Sequence, residues 1–243
     1  MKYSASEAWS EGIGAFRRAS DLGSPNWLGL AMAFEGSGEL EKAEEAYRVG
    51  LKEFPEDADL MVNLGVLLLQ ADRYQESTLI LRAAARRDPK ANWVLADALL
   101  AGGDEESALD ALTAAIDAGE LRAHLDRATL LLARDDNPVP DFLRAIESGA
   151  RFARREYALY LHSVGDDSRS LEVAVEAIDY GDTLSYLPAA LSATALGQYE
   201  DAVRWFRLAI EDGDDEYEDE LREALALLAR SSGTGSDIGD RID

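Results

Sequence analysis

The sequence predicts an all-α solenoid of about six helix-turn-helix repeats with a capping helix at each end. Three observations carry that reading. Small residues before an apolar one recur at Ala209, Ala177, Ala145, Ala115, Ala84, Gly50 and Ala19, in steps of 32, 32, 30, 31, 34 and 31 residues. A second series, Gly38, Asp72, Gly103, Asp135, Gly165 and Gly197, falls between them in steps of 34, 31, 32, 30 and 32. Two markers that keep one period of 30–34 residues are the signature of stacked helical units. The intervening stretches are helical in pattern, as in MVNLGVLLLQ, where Met61, Leu64 and Leu68 share a face.

Each marker has a physical role. Gly, Asp and Asn tolerate the left-handed backbone that ends a helix, so the second series marks the turn inside each hairpin. The glycines closing AIDAG, AIESG, AIDYG and AIEDG mark the turn out of it. The small residue of the first series lets a neighbouring helix approach where a larger side chain would force it away. A lone hairpin leaves its apolar stripe exposed, so units must stack.

Taken in order, residues 5–22 form an N-terminal helix, with Ser4 and Glu7 spaced as a capping box. Repeats follow at about 24–57, 58–88, 89–120, 121–150, 151–182 and 183–213. In the fourth, RDDNPVPDFLRAIESG places Pro138 and Pro140 where the second helix begins, which shortens it by about a turn. Residues 215–230 carry Leu221, Ala224, Leu225 and Leu228 on one face, as a C-terminal cap should, with Asp214 or Asp215 at its start. Residues 1–230 thus make one solenoid domain, and 231–243 are too poor in apolar residues to fold.

The first full unit, with Trp27, Leu30, Ala31 and Phe34, then Ala43, Tyr47 and a closing Pro55, resembles a tetratricopeptide repeat. The next is in register through Met61, Leu64, Gly65, Leu68, Ser77, Leu81, Ala84 and Pro89. Later units keep Ala96 with Ala108, Leu112 and Ala115, then Ala158 with Ala174 and Ala177, then Ala190 with Ala202, Phe206 and Ala209; their acid-any-Gly endings are similar to Sel-type repeats. The resemblance covers about 5–212 and implies a right-handed superhelix whose first helices line a concave groove. Carried over unit by unit, that groove comprises Leu28, Met32, Val62, Val66, Leu69, Trp93, Asp97, Leu100, Arg122, Leu125, Leu132, Arg155, Leu159, His162, Leu187 and Leu191. An apolar stretch of this size marks an interaction site, unless winding or self-association covers it. The chaperone-tail clamp of some family members requires polar residues at Leu28, Met32, Asn63, Lys90 and Val94; Asn63 and Lys90 alone agree.

Charge and motifs narrow the function. Against 24 basic residues stand 48 acidic ones, a net charge of −24, which disfavours nucleic acid and anionic membranes as partners. Residues 122–155 run against this, with seven arginines to five acids, and ARFARREY stacks three of them at a helix start. They either pair locally or receive a carboxylate. No cysteine, no histidine pair at metal spacing and no nucleophile elbow or phosphate loop is present, so no catalytic residue, metal or cofactor is expected. EDGDDEYEDE fails as a calcium loop because Tyr217 stands where glycine is needed. The expectation is a cytoplasmic, non-catalytic scaffold holding a protein or peptide partner in its groove. The alternative is an acidic surface that recognises a basic protein.

Overall fold

The computed structural model of the chain describes residues 12–14, 16, 26–213 and 217–232, and all its regular elements there are helical. The Ser4–Glu7 capping box, most of the expected N-terminal helix, Asp214, Asp215 and residues 233–243 lie outside the described residues; positions 12–14 and 16 are helical. The chain divides into two compact units, residues 1–136 and 137–243.

In the first unit, α1 (Trp27–Gly36) pairs with α2 (Leu40–Glu53), α3 (Ala58–Gln70) with α4 (Tyr74–Ala85), and α5 (Asn92–Ala101) with α6 (Glu105–Asp117); α7 (Ala123–Ala133) follows. A short 3₁₀ turn, Pro89–Ala91, leads into α5. In the second unit, α8 (Val139–Glu147) precedes the hairpins α9 (Ala153–Ser163) with α10 (Asp167–Asp179) and α11 (Tyr186–Ala195) with α12 (Tyr199–Glu211). There α13 (Glu218–Ser231) packs on α12 and buries Ala224. With Pro140 in its first turn, α8 has 9 residues where α10 and α12 have 13, a deficit of one turn.

The turns follow the sequence markers. Gly38, Asp72, Gly103, Asp135, Gly165 and Gly197 all have positive φ, between 57° and 82°. At each, the next residue donates its N–H back across the turn, as Glu39 does to the Phe34 carbonyl and Asp166 to that of Leu161. This Schellman closure satisfies carbonyls that the helix end would leave bare. Helix starts are capped by side chains: Asn26, Asp57, Asp104 and Asp166 each accept an N–H three residues ahead.

Small residues set the spacing between helices. Ala84, Ala115, Ala145, Ala177 and Ala209 are buried, as is Gly50, where a Cβ would come within 2.7 Å of Trp27 Cβ. Inside the hairpins a second pair of small residues meets, twelve positions apart: Ala31 with Ala43, Ala96 with Ala108, and Ala190 with Ala202 are fully buried. At the same places in two other hairpins a serine replaces the second alanine. Ser77 Oγ donates to the Gly65 carbonyl and Ser170 Oγ to that of Ala158, each at 2.7 Å, so the buried hydroxyls are satisfied.

Candidate functional site

Successive first helices touch within each unit, α1 with α3, α3 with α5, and α9 with α11. Their shared face is therefore where a groove must be sought, and each unit has its own.

In the first unit the face runs from Leu28 and Met32 through Val62, Val66 and Leu69 to Trp93, Asp97, Leu100 and Leu125. Met32 is 50% exposed and Leu132, at the end of α7, 38%. The others are half-buried. Leu28 packs against the core of the first two hairpins, and Val62, Leu69, Trp93 and Leu100 against that of the next. The apolar row is thus partly consumed by stacking, and its open part is narrower than the sequence implied.

Trp93 is held from two sides. Its indole Nε1 donates to the Asp126 carboxylate on α7, and the Arg122 guanidinium lies 4.5 Å from the ring centroid. Arg122 in turn donates Nε to Glu120 at 2.9 Å. Asp97, one turn along α5, is half-buried. Burial, and then the charge of Asp126, push its pKa up to about 6. The sequence placed Asp97 and Arg122 on this face and counted Asp126 among the charges of residues 122–155; the approach of the two carboxylates was not legible, because it depends on how α7 meets α5 at Trp93.

In the second unit Arg155, Leu159 and His162 lie half-buried on α9, and Leu187 and Leu191 on α11. Arg155 directs Nε and Nη2 at the neighbouring Glu156, at 3.1 and 2.5 Å, and His162 Nδ1 lies 2.5 Å from Asp167. The polar members of this face are already engaged. Phe142, Tyr157 and Tyr160 form an aromatic cluster beside them, with ring centroids 5.6–6.3 Å apart. The sequence reading missed it, since a tyrosine on a helix carries no periodic signal of which ring it will meet.

The second helices of the first unit present charge instead. Arg48 and Arg73 bridge Glu44 on α2 and Glu76 on α4, and both carboxyls are held below their usual range by these guanidiniums. Among the described residues no group of acids and histidines could hold a metal ion, and no helix is long and apolar enough to cross a membrane.

A family model described as tetratricopeptide repeat matches residues 5–57, 28–92 and 78–123. Residues 5–123 are tetratricopeptide repeats. No curated protein matches it. Among solved structures it is similar to the C-terminal part of a TPR repeat-containing protein from Cytophaga hutchinsonii, at TM-score 0.68 and 13% identity over 86% of this chain and 89% of that one. Pseudomonas aeruginosa PilF gives TM-score 0.67 and 15% identity over 89% and 99%. YrrB, described as a TPR protein with an unusual peptide-binding site, gives 0.54 and 21% over 71% and 94%. These likenesses concern the fold. Beyond residue 123 the chain continues as helical hairpins, with left-handed turns at Gly165 and Gly197.

Proposed function

We propose that this tetratricopeptide repeat protein is a non-catalytic adaptor that holds an extended or helical peptide of a partner protein along the first-helix face of residues 28–132. One observation carries the reading: the face keeps Met32 open at one end and, at the other, an indole whose ring is fixed by Arg122 and Asp126. An aromatic ring immobilised beforehand loses little entropy when a ligand covers it. YrrB, with its peptide-binding site, shares the architecture.

The experiment is capture of partners from native-source lysate at low and high salt, followed by mass spectrometry. The same capture is run with Met32→Lys alone and with Met32→Lys combined with Trp93→Ala, after circular dichroism shows helical content unchanged. Groove binding predicts a partner that survives high salt and is lost with both variants. A partner that salt releases and that ignores both variants transfers the role to the acidic surface, since surface charge is screened and apolar contact is not.

A further inference from the structure

In the second unit, two arginines, Arg151 and Arg154, border a cleft that the groove reading does not use. The segment Arg151-Phe152-Ala153-Arg154-Arg155 opens α9. Phe152 sits in the left-handed region, φ 68°, where a bulky L-residue is strained by about 1–2 kcal/mol. That geometry places its ring against two guanidiniums, Arg151 at 4.5 Å and Arg155 at 4.6 Å from the centroid. Arg154 lies 4.4 Å from the centroid of Tyr180, a ring that is 76% exposed.

Contact with a ring gives these guanidiniums no hydrogen-bond acceptor, so their N–H donors must find acceptors elsewhere. Arg155 uses Glu156. Arg154 Nε is ion-paired with Glu176 at 3.8 Å, too long for a hydrogen bond, so among the described residues this buried atom has no hydrogen-bond acceptor. Arg151 makes no ion pair among the described residues. Both border one cleft of about 360 Å³, walled by Ile146, Ala177 and Tyr180 and rimmed by Asp182.

Without a ligand the arrangement is unfavourable in three ways. Cations crowd a helix N-terminus, where the dipole already favours anions. A buried donor lacks an acceptor, which costs about 1–3 kcal/mol. An aromatic residue holds a strained backbone. An anion in the cleft relieves the first. We infer that this cleft receives a carboxylate from an acidic peptide, taken by the Arg151 and Arg154 guanidiniums with Phe152 and Tyr180 as their stacking supports. A planar, singly charged group suits these donors. A phosphate dianion would meet Asp182 at the rim and the field of a chain carrying −24. Arg151 and Phe152 precede α9, Arg154 is in its first turn and Tyr180 follows α10, all away from the places of the chaperone-tail clamp, and the inference holds whether or not the groove binds anything.

The test is a titration of the full-length, ¹⁵N-labelled protein, following the arginine Nε–H signals assigned with Arg151→Gln and Arg154→Gln. Four probes are compared: N-acetyl-Ala-Glu-Ala-amide, its Gln counterpart, N-acetyl-Ala-Gln-Ala with a free C-terminus, and inorganic phosphate. The expected result is that a carboxylate probe shifts the Arg154 Nε–H signal and the Gln amide does not. Response to the Glu peptide names a side-chain carboxylate as the source, and response to the free C-terminus a chain end. Arg151→Gln and Arg154→Gln each weaken binding at least about 10-fold, while Arg144→Gln, whose partner is Glu147, leaves it unchanged. Arg151 is exposed, so its variant retains the fold even if that of Arg154 does not. Equal response to the Gln amide, preference for phosphate, no response to any carboxylate, or undiminished binding by Arg151→Gln overturns the inference.

Discussion

Arg122 and Asp126 grip Trp93 from opposite chemistries: a guanidinium 4.5 Å from the ring centroid and a carboxylate accepting from the indole N–H. The grip brings Asp126 close enough to Asp97 to raise its pKa, on top of the larger effect of burial. Among the described residues the Asp97 carboxyl has no hydrogen bond to offset this, so the acid is destabilised in its charged form.

A pH dependence follows. The folded Asp97 titrates near 6 and the unfolded one near 3.8. Between those values the folded state binds more protons, so this group's contribution falls as pH rises through the window and is fully lost above about 6. Asp97→Asn removes the effect. At pH 7.5 the variant should be more stable by about 1–2 kcal/mol, the rise from 3.8 to about 6 discounted for solvent screening. At pH 3.5 the two proteins should coincide. Urea unfolding across pH 3.5–7.5 measures the difference between them, in which the titration of the other carboxylates cancels.

Gly65 tests the close approach inside a hairpin. A Cβ there would stand 2.5 Å from Leu81 Cγ and 2.6 Å from Cδ2, and Leu81 is fully buried. Gly65→Ala gains about 1 kcal/mol of helix propensity, but displacing a packed leucine costs about 1–3 kcal/mol. Overpacking should win, with a net loss of about 1–2 kcal/mol in urea unfolding. A variant as stable as the parent would mean that Leu81 repacks freely.

Much of this was legible in the chain itself, for a physical reason. The turns at Asp72, Asp135, Gly165 and Gly197 demand residues that tolerate positive φ, and few do, so the demand shows as a period. Ala145 and Ala177 are legible likewise, since a helix contact excludes large side chains. The sites were less so. Arg155 is the instance: its position suggested a ligand contact, yet a neighbouring Glu156 engages it, and no spacing rule says which way a long side chain turns. Phe152 is another, because nothing about a phenylalanine announces a left-handed backbone.

Asp135, with φ 57°, marks the turn between α7 and α8. Glycine there removes the Cβ penalty but enlarges the entropy of the unfolded chain by about 0.5–1 kcal/mol. The terms nearly cancel, so Asp135→Gly should stay within about 0.5 kcal/mol of the parent. Asp135→Val has no such compensation and should lose about 1–2 kcal/mol. Thermal unfolding of the pair checks the sign; a stable valine variant would show that this turn can adopt another conformation.

Ser170 and Ser192 carry a coupling that single substitutions will overstate. Ser170 Oγ donates to the Ala158 carbonyl and accepts from Ser192 Oγ, both at 2.7 Å, and neither side chain is exposed. Ser170→Ala strands the Ser192 hydroxyl in the packing between α10 and α11, at a cost of about 1–3 kcal/mol. Ser192→Ala leaves Ser170 bonded to its carbonyl and should cost less. Removing both leaves no stranded hydroxyl, so the double variant should be at least as stable as Ser170→Ala alone. A double-mutant cycle in urea reads this directly. Additive losses would mean that Ser192 finds another acceptor once Ser170 is gone, and the buried pair would then be two independent bonds.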